Sequence, residues 1–170
     1  MKISFFLFLL ALPFLISVAY ASASAAPWVP SRGKTRKLIL DHIHLKPGDH
    51  FVELGCGDGR ILLDLARRYP LARFTGYELS LPMVIIAKLR CLGHHNIHIR
   101  FKSAFRFQDP SATHVFMFLT KGAYATLAHQ LLSTLLKGTN LYAEAWPFPN
   151  LTLTTVLSAP KTEKIFHYIV

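Results

Sequence analysis

The sequence has 170 residues, a length that suits a single domain with a sizeable core. Its net charge of +10 fits a negatively charged partner, which includes nucleic acid, anionic lipid and acidic protein, and composition does not choose among these. Two cysteines exclude a disulfide framework, so we interpret Cys56 and Cys91 as packing residues.

The N-terminal segment is apolar. After Lys2, residues 3–19 carry no charge, and an Ala/Ser-rich stretch follows. This pattern fits a secretory signal peptide cleaved near Ala25/Ala26. The run also has about the minimum length of a membrane-spanning helix, roughly 17 residues. Basic residues after it favour an uncleaved membrane anchor with the next domain facing the cytoplasm. We therefore predict a hydrophobic segment over 1–25, with the anchor preferred to cleavage and export, and one domain over 26–170.

The segment 27–31 is predicted to be a linker, because its two prolines prevent a continuous helix. Trp28 in this linker fits two roles equally well. It is either a hydrophobic plug on the domain or a lid over a site.

The most informative stretch is Phe51–Arg60. An apolar strand is followed by glycines at 55, 57 and 59, with Cys56 and Asp58 between them, and then by the apolar pattern of a helix. Such a turn offers backbone N–H groups to a polar ligand. A dinucleotide fingerprint would need a third glycine at the position of Arg60, so the spacing does not match that class of ligand.

Strands and helices alternate along the rest of the chain. The predicted strands are Arg73–Glu78, Ile97–Phe101, Ala112–Leu119 and Leu141–Trp146, the predicted helices are Pro82–Leu92 and Gly122–Leu136, and Leu151–Leu157 with Ile165–Val170 can form a hairpin. This order predicts an α/β fold with a doubly wound, mostly parallel, Rossmann-like sheet and a C-terminal antiparallel hairpin. A ligand is expected at the carboxyl ends of the strands, beside Gly55–Gly59, Glu78, Ser103–Phe105 and Phe118–Thr120.

The run Glu53–Gly59 resembles motif I of the class I methyltransferases, which use S-adenosylmethionine (SAM), and Glu78 stands where those enzymes place an acid for the ribose hydroxyls. From residue 27 onward the chain resembles the small protein-lysine methyltransferases of archaea and their mitochondrial relatives. The shared features are the Pro-Trp-Val-Pro-Ser run, motif I, Thr75–Glu78, Val115–Leu119 and Glu144 on the fifth strand. An enzyme that uses SAM needs a compartment that contains it, which again favours the cytoplasmic side.

This resemblance implies a protein substrate with a lysine acceptor and SAM as the cofactor. The implied cofactor-binding residues are Glu53, Gly55, Cys56, Gly57, Asp58, Gly59, Glu78, Leu79, Ser103, Ala104 and Phe118. Trp28, Trp146, Phe118 and Phe148 are expected to form an aromatic channel, in which Glu144 steers the ammonium or accepts its proton. The chain departs from the family at the adenine position, where Ser103–Phe105 offers little polarity, and at Ala143 and Ala145.

Two other functions stay open at this point. The first is methylation of a small molecule or of nucleic acid, although the Asn/Asp-Pro-Pro-aromatic motif of amino-group methylation is absent, so a nucleic acid partner is not expected. The second is a non-catalytic, membrane-tethered module that binds SAM. Nine histidines lack the spacing of metal ligands, so no metal is predicted. Oligomeric state is not predicted.

Overall fold

The computed structural model describes residues 2–24 and 33–170. The helices in these ranges are α1 (Lys2–Ser24), α2 (Gly33–His42), α3 (Arg60–Arg68), α4 (Leu81–Arg90) and α5 (Lys121–Thr134). The strands are β1 (His50–Leu54), β2 (Arg73–Glu78), β3 (Ile97–Phe101), β4 (His114–Met117), β5 (Asn140–Glu144), β6 (Leu153–Leu157) and β7 (Ile165–Ile169). A single 3-10 turn, Ala104–Arg106, follows β3.

All seven strands form one sheet in the order β3-β2-β1-β4-β5-β7-β6. Strands β1 to β5 pair in parallel, and β7 runs antiparallel to both β5 and β6. Every residue of the central strands β1 and β4 is buried, as expected for parallel strands covered on both faces. The predicted doubly wound sheet with a C-terminal antiparallel hairpin is confirmed.

Helices cover both faces of the sheet. One apolar cluster joins α5, through Leu127 and Leu131, to inward residues of β1, β4 and β5. The other joins α2 and α3, through Ile39 and Leu65, to the opposite face. The carboxyl ends of the parallel strands therefore form a common edge between two packed layers, and the loops at this edge are free to bind a ligand.

Two element boundaries differ from the sequence prediction in a way that matters for the site. Strand β4 ends at Met117, and β5 ends at Glu144 rather than at Trp146. Ala145 has a φ of 72°, which is incompatible with a continued strand. Trp146 therefore lies in the loop after β5, and Phe118 lies in the loop after β4.

Helix α1 lies against α4, and the Leu81 N–H donates a hydrogen bond of 3.1 Å to Ser17 Oγ. The predicted spanning helix over residues 3–19 finds no support: within 2–24 and 33–170, no helix is long and apolar enough to cross a membrane. The predicted linker 27–31, Trp28 and the cleavage point near Ala25/Ala26 lie outside the described residues.

Candidate functional site: a glycine loop and two buried carboxylates at the sheet edge

The loop after β1 is built on glycines with positive φ. Gly55, Gly57 and Gly59 have φ angles of 82°, 51° and 73°, a region in which a side chain would strain the backbone. The N–H groups of Gly55 and Cys56 both donate to the Tyr77 carbonyl oxygen, at 2.9 and 3.0 Å. The loop is thereby fixed to β2.

Strand β2 passes directly below this loop at Gly76. A Cβ atom added at Gly76 would lie 2.6 Å from both Cys56 Sγ and Leu62 Cδ1, so a larger residue would displace the loop. Both cysteines are buried and free, and burial raises the pKa of each thiol, to about 11 for Cys91. These positions agree with a packing role for Cys56 and Cys91.

The Glu78 carboxylate ends β2 and accepts hydrogen bonds from three backbone donors. Its Oε2 accepts from the Gly57 N–H at 2.9 Å, and its Oε1 accepts from the N–H groups of Leu79 and Ser80 at 2.8 and 2.7 Å. Because these are charge-assisted hydrogen bonds, they hold the side chain in a single position. Leu79 thus contributes its N–H to the placement of Glu78.

Asp58 is enclosed within the loop by two cations. It is 5% exposed and forms salt bridges with Arg60 and with Arg90 of α4, and the Arg90 Nη1 also donates to the Asp58 carbonyl oxygen at 2.8 Å. Burial alone would raise the pKa of this carboxyl, but hydrogen bonds from the two arginines outweigh it and lower the pKa. Asp58 therefore braces the loop against α4 through its side chain.

Glu53 lies at the same edge and has a free oxygen. It is 4% exposed, and its Oε2 has no hydrogen-bond partner among the described residues. Burial, followed by the negative charges of Asp58, Glu144 and Glu78, raises the pKa of Glu53 well above its usual value. A buried carboxylate oxygen without a partner is costly, so this position suits a cationic ligand group.

These residues fit SAM. Glu53 has an oxygen without a partner, and the α-amino group of the methionine part of SAM is a cation that could bind it. The Glu78 carboxylate beside the loop could accept hydrogen bonds from the ribose hydroxyls. Farther along the edge, the Ser103 Oγ accepts from the Phe105 N–H at 3.3 Å and Ala104 is buried, which leaves an apolar site for the adenine. Phe118, half-buried after β4, stands on the other side of β1.

The second buried carboxylate, Glu144, ends β5. It is 2% exposed, and its Oε2 likewise has no partner within the described part of the chain. Burial, and then the charge of Glu163 in the loop before β7, raises the pKa of Glu144 to about 7. Glu144 can therefore gain or lose a proton near neutral pH, which a general base requires.

The end of β5 is tied to helix α5. The Tyr124 hydroxyl lies 2.7 Å from the Glu144 carbonyl oxygen and 3.0 Å from that of Met117, so α5, β4 and β5 meet at one point. Neither Tyr124 nor Glu163 was predicted as a site residue. The sequence predicts a helix at Tyr124 and a hairpin around Glu163, but it does not show that either side chain lies near the end of β5.

The aromatic residues after β5 separate into two groups. Trp146 is 42% exposed, and the Lys121 ammonium lies 6.0 Å from the centre of its ring. Phe148 is instead a core residue, packed against the rings of Tyr124 and Tyr168, so its expected place in a channel is wrong. Trp146 therefore lies exposed in the loop two residues after Glu144, while Trp28 is outside the described residues.

Metal ligands do not cluster at this edge. Within residues 2–24 and 33–170, no group of three or more His, Cys, Asp or Glu side chains is arranged to hold a metal ion. The arrangement instead provides an orienting loop, one fixed carboxylate and two carboxylates with unpartnered oxygens.

Solved structures similar to this one are methyltransferases. An RNA methyltransferase from Salinibacter ruber, in complex with S-adenosyl-L-homocysteine, has a TM-score of 0.77 at 21% identity, covering 84% of this chain and 94% of that chain. Fibrillarin from Aeropyrum pernix, with natively bound SAM, has a TM-score of 0.64 at 11% identity, covering 80% of this chain and 74% of that chain. At these identities the likeness shows the fold.

The sequence comparisons give the family. No match was found among curated protein sequences. The family model described as "ANTKMT methyltransferase domain" matches residues 53–155, a range that runs from Glu53 of motif I past β5 and covers more than half of the chain. With this match, the glycine loop and the sheet order, the chain belongs to the ANTKMT methyltransferase domain family and is a class I, SAM-dependent methyltransferase.

Proposed function

We propose that this enzyme methylates lysine side chains of a protein acceptor. The observation that carries the proposal is Glu144, a buried carboxylate with a free oxygen and a pKa of about 7, at the strand end that faces the acceptor side. A lysine ammonium is the complement of such a group in both charge and hydrogen-bonding capacity. The match to the ANTKMT family model supports a protein acceptor.

The chemistry that this site needs is modest. Bound SAM supplies a methyl group that is already activated by a positively charged sulfur. The acceptor amine must present a lone pair, although lysine in water has a pKa of about 10.4. Ionised Glu144 attracts the ammonium and accepts its proton, and the glycine loop with Glu78 fixes the geometry of the partner group. The neutral amine then takes the methyl group, and S-adenosylhomocysteine leaves.

The acidic side chains at the site favour an amine. The chain carries a net charge of +10, yet the charge of Glu163 adds to burial in raising the pKa of Glu144, and the charge of Glu144 contributes to the raised pKa of Glu53. When Glu144 is ionised, it attracts an amine and repels a phosphate. We therefore favour a lysine acceptor over nucleic acid.

RNA is the second candidate, on two observations. The net charge is strongly positive, and the Salinibacter ruber structure covering 84% of this chain is described as an RNA methyltransferase. A basic surface would hold the phosphate backbone outside the pocket. Small-molecule methylation is a third possibility, with no observation in the structure that favours it.

Location is a separate proposal. Anchoring through residues 3–19, with the enzyme domain in the cytoplasm, stays a prediction from the sequence, as does the alternative of cleavage near Ala25/Ala26. Mass spectrometry of the mature protein decides between them, because a chain that starts near Ala26 would contradict the anchor.

Labelled SAM tests the acceptor class directly. The purified enzyme is incubated with methyl-labelled SAM and an extract, in parallel samples that are untreated, treated with ribonuclease, or treated to acetylate lysine amines. We expect label in protein as methyl-lysine, unchanged by ribonuclease and lost on acetylation. Label that disappears with ribonuclease, or that enters only small molecules, would reject a lysine acceptor.

A further inference from the structure

We propose that Lys121 is a specificity residue that occupies the binding position of the acceptor ammonium on the Trp146 ring, so that an acceptor lysine must displace it. This inference deepens the proposed function and rests on it in one respect only, the choice of lysine as the physiological acceptor. The geometry that supports it is the Lys121 ammonium over the Trp146 ring. Trp146 follows Glu144 by two residues in the chain.

The contact itself has the distance of a cation–π interaction. The Lys121 Nζ lies 6.0 Å from the Trp146 ring centre, at the limit within which such a contact stabilises a cation. Trp146 is 42% exposed, so a cation that arrives from solution can reach the ring. The ring is therefore a position for one ammonium group, and the chain's own lysine takes it when no acceptor is bound.

Both partners are held close to Glu144 by the backbone. Lys121 begins α5, and Tyr124, three residues later, places its hydroxyl 2.7 Å from the Glu144 carbonyl oxygen. Directly after β5, the Ala145 N–H donates to the Lys164 carbonyl oxygen at 2.8 Å. The φ of Ala145, 72°, turns the chain out of β5 just before Trp146. A non-glycine residue in this conformation is strained, and such strain is commonly found at functional sites.

Lys121 is not engaged elsewhere. Among residues 2–24 and 33–170 its side chain forms no ion pair or hydrogen bond, whereas Lys37 pairs with Asp41 and Arg36 with Asp64. An exposed lysine held only by a ring is displaced at low cost. Acceptors that carry an ammonium can compete for the ring and gain the charge of Glu144, while neutral side chains of the same length gain neither.

The expected effect is small and directional. Removing the competing cation should strengthen acceptor binding by about two- to five-fold, the size of an exposed cation–π contact. The effect should appear in KM and leave kcat unchanged, because Lys121 does not touch the reacting atoms. A residue with a merely structural role would lower stability or kcat instead.

The variants are Lys121→Met, Lys121→Arg and the control Lys137→Met. The control removes the same charge from Lys137, which lies three residues after the C-terminal end of α5. The parent used for comparison and all variants carry Trp28→Phe, so that fluorescence reports Trp146 alone and the background is the same throughout. Each protein, saturated with S-adenosylhomocysteine, is titrated with N-acetyl-lysine amide and with the uncharged N-acetyl-norleucine amide.

We expect Lys121→Met to bind the lysine probe two- to five-fold more tightly than the parent, and Lys121→Arg and Lys137→Met to match the parent. The norleucine probe should bind weakly to all of them. Equal affinity of Lys121→Met and the parent, equal binding of the two probes, or no binding of the lysine probe to any variant would overturn the inference. The titration contains no methyl donor, so if the acceptor assay instead found RNA, this result would still decide the role of Lys121.

Discussion

Two carboxylates at the same sheet edge, on strands separated by β1 and β4, are held in opposite ways. Glu78, at the end of β2, accepts three backbone hydrogen bonds of 2.7 to 2.9 Å. Glu144, at the end of β5, is more deeply buried, yet its Oε2 has no partner among the described residues. The position of Glu78 is thus fixed in advance, whereas Glu144, like Glu53, has a buried oxygen that a ligand must complete.

The difference follows from what each group has to do. A group that binds the same cofactor in every reaction benefits from a fixed position, because orientation is then set before binding. A group that exchanges a proton must be able to change its charge near neutral pH, and burial without a partner achieves this for Glu144. Its cost is a less stable fold.

The largest expected effect is the loss of SAM binding in Glu78→Ala. The substitution removes the acceptor of three backbone N–H groups, one of them in the glycine loop, together with the group that faces the ribose. We expect an affinity at least 100-fold weaker, since charge-assisted bonds contribute about 1.5–3 kcal/mol each. Isothermal titration with SAM measures it, and Glu144→Ala, the matched control, should bind SAM normally. Equal losses in both variants would contradict the division of roles.

Local signals in the sequence predicted that the glycine loop and Glu78 lie at one place, and the Gly57 N–H donates to Glu78 at 2.9 Å. Glycines at alternate positions after a buried strand fix both the turn and the place of Glu78, because the loop and β2 are adjacent and bonded through the Tyr77 carbonyl. The salt bridge from Arg90 to Asp58 was not predictable, because it links the loop to the end of a helix that follows a further strand. Such a pairing depends on how α4 packs.

The acceptor side was predicted less completely. Glu144 was identified through the family resemblance as an acid on the fifth strand. Its raised pKa comes from burial and, second, from Glu163, which the antiparallel register of Glu144 with Ile165 brings close. The predicted strand through Trp146 failed at one residue, Ala145, whose positive φ has no sequence signal because alanine seldom adopts it. Contacts that depend on the pairing of β7 with β5 therefore could not be predicted from the sequence.

Glu144→Gln should have the next largest effect, on turnover. Without a proton acceptor we expect kcat at pH 8 to fall by about 100-fold, a usual size for general-base catalysis, with SAM affinity unchanged. In the parent, kcat/KM should rise with pH through an inflection near pH 7 as Glu144 ionises, and the variant should lack this inflection. A pH profile of initial rates measures both.

Glu163→Gln is the control for this assignment. Because the charge of Glu163 contributes to the raised pKa of Glu144, its removal should move the inflection to lower pH without abolishing it. An inflection near pH 7 that persists in Glu144→Gln would assign the titration to another group, such as the acceptor amine itself.

The smallest expected effect is on stability, and it should have opposite signs at the two carboxylates. Folding raises the pKa of Glu144 from 4.5 to about 7, so its contribution to stability is fully present below about pH 4.5 and is lost as pH rises through 7. Glu144→Gln should therefore raise the free energy of unfolding at pH 8, by at most about 3 kcal/mol, and change it little at pH 4.5. Glu78→Gln should lower it at pH 8 by about 1–2 kcal/mol, since charge-assisted hydrogen bonds are lost.

Urea denaturation of both variants at pH 4.5 and pH 8 measures these differences. His50, whose pKa burial and Arg73 lower to about 4, titrates in parent and variants alike. The raised pKa of Glu53 depends mainly on burial but also on the charges of Glu144 and Glu78, so each difference includes the response of Glu53 to the substitution. If Glu144→Gln were destabilising at pH 8, its carboxylate would already have a partner in the folded protein. The contrast between a completed and an incomplete site would then fail, and Glu144 would be a structural acid like Asp58.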